Sequence, residues 1–229
     1  MIKNYREYMN ESAGVELKQD QKDWLDKCAK GRWQFNPQTG LVDVSGNFDC
    51  SWEDLDSLKG VRFGQVSGHF WCYENNLTSL EGAPQRVVGG FSCSSNNLTS
   101  LVGAPQSVGG GFSCSSNNLT SLVGAPQSVG GEFRCWDNKL TSLEGAPQSV
   151  DGLFSCHSNR LTSLKGFPME LGGMIYLDPN PIWNEIGPMV SGMSDEEEKF
   201  FYKFVGASEA ADKESLMRIA RSIERMRMI

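Results

Sequence analysis

The chain of 229 residues is 39% hydrophobic, enough for a packed core, and carries 28 acidic against 21 basic side chains for a net charge of −7. No Lys/Arg-rich run crosses its central part, so the footprint of a phosphate-backbone binder is missing and nucleic acid is excluded as a partner. It has no stretch of about 18 apolar residues, and MIKNYREYMNESAG lacks the apolar core of a signal peptide, which excludes a membrane span and predicts a cytosolic protein.

In chain order, residues 1–16 read as a flexible N-terminus in which NYREYMNES is a candidate address. Residues 17–47 read as an N-terminal cap. LKQDQKDWLDKCA places Leu17, Trp24, Leu25 and Cys28 near one helical stripe, and Trp33–Phe35 and Leu41–Val44 flank a Pro/Gly turn as two short strands.

Residues 48–182 are repetitive. Five blocks beginning at Phe70, Phe91, Phe112, Phe133 and Phe154 repeat FxCxxNxLTSLxG every 21 residues. Units this short cannot bury a hydrophobic face alone, so they stack into a solenoid with one continuous core. Phe and Cys two apart point to the same side of a strand, giving one strand per block and a parallel sheet. The Asn three residues after each Cys (Asn75, Asn96, Asn117, Asn138, Asn159) falls where the chain leaves that strand and predicts a buried, structural ladder. Pro84, Pro105, Pro126 and Pro147 predict a polyproline-like or irregular convex side, and glycine pairs such as Gly109 and Gly110 predict tight turns with positive φ.

A degenerate block opens the array: Phe48, Cys50, Leu55, Leu58 and Gly60 match the next block at an offset of 22, with Glu53 where Asn is expected, so a distorted first turn is predicted. A last one closes it at Ile175, Leu177, Asn180 and Ile182. Residues 183–229 read as a helical C-terminal cap. Ser194 before Asp195 and Glu196 to Glu198 is an N-cap signal ahead of the apolar run from Phe200 to Val205. A further helix after Ala207 carries Leu216, Ile219, Ala220, Ile223 and Met226 on one stripe. Its Arg218, Arg221, Arg225 and Arg227 suit either a solvated outer face or an anionic membrane, and the first fits a docked stripe better.

The array resembles leucine-rich repeats: Phe112, Cys114, Asn117 and Leu119 fill the last part of LxxLxLxxNxL, and NxLTSLxGAP is similar to the short subtype of secreted bacterial effectors. Gly109 stands where a strand-opening leucine is usual, and the first of two family prolines is lost. DWLDKC, FNPQTGLVDVSGNFDC and KGVRFGQVSG resemble leucine-rich-repeat-like proteins of large tailed bacteriophages. The resemblance implies a β-solenoid of leucine-rich-repeat type, with a parallel β-sheet on the concave face, an irregular convex side and helical N- and C-terminal caps. It also implies a place, the cytoplasm of an infected bacterium or the virion.

Six of the seven cysteines recur at the repeat spacing, which favours buried, reduced core filling over cross-links between turns. His69 and His157, the two histidines, lie about four turns or roughly 20 Å apart and cannot form a metal pair. No GxSxG motif, phosphate loop or cofactor signature is present, so neither a cofactor nor an enzymatic function is expected.

Residues flanking the inward Phe and Cys point outward. One such row reads Asp49, Trp71, Ser92, Ser113, Arg134, Ser155 and Tyr176; the next reads Ser51, Tyr73, Ser94, Ser115, Trp136, His157 and Asp178. Trp71, Tyr73 and Glu74 form one candidate partner-binding cluster; Arg134, Trp136, Asp137 and His157 form another, with Tyr176 beyond them. Outward aromatics either merely cover backbone or make an interface, and two such clusters on one face favour the interface. Residues 91–110 and 112–131 are identical, either as a duplicated spacer or as well-stacking turns. The expected function is non-enzymatic recognition of a bacterial host protein, blocking a defence system or redirecting a host enzyme. A structural or virion-packaged protein is the second reading, and an enzyme housed in the caps the third.

Overall fold

The computed structural model describes residues 16–207 and 213–226. The expectations for residues 1–15, the NYREYMNES address among them, lie outside the described residues, as do Arg227 and the side chains of Arg225 and Met226.

The described chain is a parallel-strand β-solenoid with a few helices. Helix α1 (Gln19–Ala29) precedes a hairpin of β1 (Trp33–Asn36) and β2 (Leu41–Val44). Each Phe–Cys phrase then forms a two-residue strand: β3 (Phe48–Asp49), β5 (Phe70–Trp71), β7 (Phe91–Ser92), β9 (Phe112–Ser113), β11 (Phe133–Arg134), β13 (Phe154–Ser155) and β15 (Ile175–Tyr176). These pair parallel and in register, Phe on Phe until Ile175 meets Phe154, into one sheet ordered β15-β13-β11-β9-β7-β5-β3.

The return path departs from expectation. It is a second sheet in place of an irregular or polyproline-like side, built from β4 (Phe63–Val66), β6 (Arg86–Val87), β8 (Ser107–Val108), β10 (Ser128–Val129), β12 (Ser149–Val150) and β14 (Glu170–Leu171). Joined to β1 and β2, these make eight strands that are parallel except at the hairpin. Proline removes one donor only: Gln85, just after Pro84, already donates its amide to the Gly64 carbonyl at 2.9 Å. Two residues of extended chain then pair between turns, and Val66, Val87, Val108, Val129 and Val150 point into the core.

That core is columnar. From Phe48 to Phe154 the phenyl rings of successive turns stack at centroid distances of 5.1 to 5.6 Å. The six repeat cysteines and the paired leucines run beside them, all buried. Beyond each Cys the residue two further on takes a left-handed conformation, with φ between 52° and 55° at Glu74, Ser95, Ser116, Asp137 and Ser158. This bend removes backbone groups from the sheet, and the expected asparagine ladder satisfies them. Asn117 Nδ2 donates to the Cys93, Cys114 and Ser115 carbonyls at 3.0 to 3.2 Å while its Oδ1 accepts the Leu98 amide at 2.9 Å. The serine of LTSL has a local task, since Ser79 Oγ accepts the amide of Glu81 at 3.0 Å and the later serines do the same.

The glycine pairs are also reassigned. Positive φ belongs to the LxG glycine, 93° at Gly103 and 100° at Gly124. Gly109 and Gly110 are instead places where adjacent turns crowd: a Cβ on Gly109 would stand 2.3 Å from the Val88 carbonyl oxygen.

Both ends pack on the columns. Trp24 of α1 meets the Phe48 and Phe63 rings edge-on at 5.2 and 6.2 Å. The first turn differs from the later ones: Asp54 and Lys59 have positive φ where their equivalents Asn76 and Glu81 do not, and the β2–β4 register shifts between Val42 and Val44. Glu53 contributes no ladder amide, and its backbone N–H and that of Leu55 both donate to Asn75 Oδ1. After β15 come α2 (Pro181–Val190), α3 (Asp195–Ala207) and α4 (Lys213–Met226). The sequence reading takes residues 183–229 as a helical cap but singles out no helix before Ser194; α2 forms in spite of Gly187 and Pro188, with Pro181 at its first turn and Ile182, 2% exposed, anchoring it. The α3 cap is as expected, with Ser194 Oγ accepting the Glu197 amide and Glu197 Oε2 accepting the Ser194 amide. Leu216, Ala220 and Ile223 of α4 are buried and Ile219 packs beside them.

Candidate interaction face on the Phe–Cys sheet

Strands only two residues long still alternate, so each turn sends Phe and Cys inward and offers the residues before, between and after them to the outer face. Four residues per turn therefore build this surface, counting the left-handed position as the fourth.

At the N-terminal end, Trp71 is half-buried and lies flat on His69, with ring centroids 5.0 Å apart and planes within 13°. His69 is locked from behind, its Nδ1 accepting the Gly90 amide at 2.8 Å, which leaves the ring proton of the neutral imidazole on Nε2. Tyr73, also half-buried, meets the Trp52 ring edge-on at 6.4 Å. Glu74 is exposed at the left-handed position.

Toward the other end, Trp136 stacks on His157 at 5.4 Å with planes 5° apart, and His157 Nδ1 shares a 3.1 Å hydrogen bond with Ser158 Oγ. Arg134 is exposed and ion-paired with Glu132, which immediately precedes its strand. Asp137 accepts a hydrogen bond from Ser116 Oγ at 3.2 Å. Tyr176, 49% exposed, stands on β15 and makes no ring contact with the Trp136 pair. The predicted residues thus form two groups. Trp71 and Arg134 occupy β5 and β11, three strand spacings or about 14 Å apart.

Between the groups lies a floor of serines. Ser94 Oγ and Ser113 Oγ are 2.7 Å apart, Ser92 Oγ donates to Ser94 Oγ at 3.4 Å, and Ser115 Oγ is buried without a partner. The sequence reading passed over Trp52, His69 and Glu132. His69 and Glu132 precede a strand-opening Phe, so the alternation that selects Trp71 and Arg134 also places them on the outer face. Trp52 is signalled by its offset of 22 from Glu74, which marks it as the left-handed residue of the first turn.

The cysteines stay apart from this chemistry. All seven are free and buried. Desolvation pushes the thiols of Cys72 and Cys114 well above the ordinary range and that of Cys93 up to about 12. Among the described residues no group of three His, Cys, Asp or Glu side chains could hold a metal ion, and no helix is long and apolar enough to cross a membrane. The outer face offers flat aromatic surfaces, hydroxyls and carboxylates on a rigid support, which suits contact with another molecule. Comparison with protein-family models, with curated proteins and with solved structures finds no match to this chain.

Proposed function

We propose that this protein is a non-enzymatic recognition scaffold of leucine-rich-repeat type, phage-encoded and acting in the cytoplasm of an infected bacterium. In this reading α1 with its hairpin, and α2 to α4, are caps on the solenoid. The outer face of the Phe–Cys sheet is its concave side and grips a protein of the bacterial host, to inhibit a defence system or redirect an enzyme.

One observation carries the reading. Two stacked aromatic–histidine pairs, half-buried Trp71 on exposed His69 and half-buried Trp136 on half-buried His157, are held on either side of a serine floor by a sheet whose register fixes their spacing. Rigid aromatics make effective anchors because little rotamer entropy remains to be lost on binding. Trp71→Ala and Trp136→Ala leave the columns untouched and are expected to keep the native circular dichroism and melting temperature. Each removes an anchor worth about 2 kcal/mol or more, a loss of roughly 30-fold in affinity. Capture of a host protein from bacterial lysate is expected with the parent chain and lost with either variant; equal capture by all three overturns the reading.

A further inference from the structure

We propose that the N-terminal group on this face, Trp52, Trp71 and Tyr73 with the carboxylates of Asp49 and Glu74, receives a cationic side chain, so that the bound segment is basic and arginine-bearing. The proposal rests on the protein-recognition reading above and adds the chemistry of the partner to it.

Charge is the first observation. The outer face, its two histidines aside, carries Asp49, Glu74, Glu132, Asp137 and Asp178 against a single arginine, Arg134, and no lysine, and that guanidinium is already paired with Glu132. The other four carboxylates have no cationic partner among the described residues. At the same end of the molecule, Lys27 is committed to Glu53 at 2.5 Å and Lys59 lies over the Trp24 ring. Asp49 and Glu74 thus leave unpaired negative charge at this end of the sheet, which complements a positive segment.

Aromatic geometry is the second. Asp49 is in register with Trp71 on neighbouring strands, and its carboxylate is held at the surface by accepting the Ser51 amide at 3.1 Å. Trp71 has one face against His69, and Tyr73 presents its ring next to Trp52. A guanidinium is flat, weakly hydrated and attracted by the negative face of an indole or phenol ring. It lies against such rings while its edge N–H groups reach the neighbouring carboxylates. An ammonium gains the charge attraction but not the stacking, so arginine is preferred to lysine.

The third observation is Trp52. Later turns place Glu, Ser or Asp at the left-handed position, but the first turn places a tryptophan there, at φ 61° and 71% exposed. A bulky side chain in that conformation, with most of its ring in water, is a poor choice for folding alone and a good one for a binding surface.

The test uses the full chain and fluorescence anisotropy with matched labelled peptides whose cationic positions are arginine, lysine, glutamine or glutamate. Arginine peptides are expected to bind about tenfold more tightly than glutamine ones, with lysine between, and to weaken as ionic strength rises. Trp52→Gly, Trp71→Ala and Glu74→Gln are each expected to weaken arginine-peptide binding several-fold. Asp151→Asn, exposed on the other sheet, is expected to change nothing. Binding that ignores peptide charge, or equal losses from Glu74→Gln and Asp151→Asn, overturns the proposal. Lysate capture separates the two ideas. Capture lost with Trp71→Ala but unaffected by Asp49→Asn with Glu74→Gln sinks the cationic assignment and leaves recognition standing. Capture unaffected by every one of these variants sinks recognition itself.

Discussion

A cysteine in the fourth turn shows how far burial alone sets chemistry in this protein. Cys114 is fully enclosed between Phe112 and the asparagine ladder, and its thiol is held neutral because a thiolate would have no solvent around it. Cys72, Cys93 and Cys135 share this state for the same first reason, and the neighbouring thiols of the column push some of them further. In the unfolded chain these thiols ionise near about 8.5. Above that pH the unfolded chain holds fewer protons than the folded one, so stability present below about 8.5 is lost as pH rises toward about 12, the value for Cys93. Each buried thiol contributes a slope of about 1.4 kcal/mol per pH unit, and several act together. Urea midpoints are expected to be flat up to about pH 8 and to fall steeply beyond it; a flat profile to pH 10 would disprove the buried column. The sequence announces the residue, since Cys recurs two positions after each Phe, but it leaves reduced and cross-linked states open. Enclosure by neighbouring turns decides for the free thiol.

At the scale of the element, the fold rests on strands too short to be recognised singly. A two-residue strand such as Ser107–Val108 has no alternation to read, and the preceding proline argues against it. It forms because the turns before and after supply partners at the same height, Val87 and Val129 on either side of Val108. The same closeness explains Gly109, where the neighbouring backbone fills the site a side chain would need. Gly109→Ala is expected to cost about 1–3 kcal/mol in chemical denaturation, because backbone must move to admit the methyl group. Ser107→Ala, exposed on the strand just before Gly109, is expected to stay within about 0.5 kcal/mol of the parent. Equal stability of the two variants would show that the turns are looser than the geometry implies. Helix α2 was hidden for a related reason: Gly187 and Pro188 argue against a helix locally, and burial of Ile182, Ile186 and Val190 overrides them.

For the whole molecule, stability is a sum over neighbouring turns while the outer face depends on how many turns lie between its two aromatic groups. Residues 91–110 and 112–131 are identical, so removing residues 112–132 rejoins every column in register: Phe, Cys, Asn and Leu each find the same neighbour. The shortened chain is expected to fold cooperatively, with a lower urea midpoint than the parent. Trp71 and Trp136 would then stand two strand spacings apart, about 10 Å in place of about 14 Å. A partner matched to the longer spacing is expected to be lost even though both anchors remain. Undiminished capture by the shortened chain would show that the two groups do not act on one partner.

The sequence by itself determined the solenoid, its inward columns and the asparagine ladder, because an inward position is set by strand alternation and that rule repeats every 21 residues whatever surrounds it. It also placed Trp71, Tyr73, Arg134 and Trp136 outward by the same alternation. Only the tertiary structure decided the second sheet, the crowding at Gly109, the pairing of Trp71 with His69 and of Trp136 with His157, and the place of Trp52 beside Tyr73. All but one of those features arise between turns, where backbone distance and ring orientation depend on residues 20 or more positions away; the Trp71–His69 stack lies within one turn, where alternation places both residues outward but does not set how their rings meet.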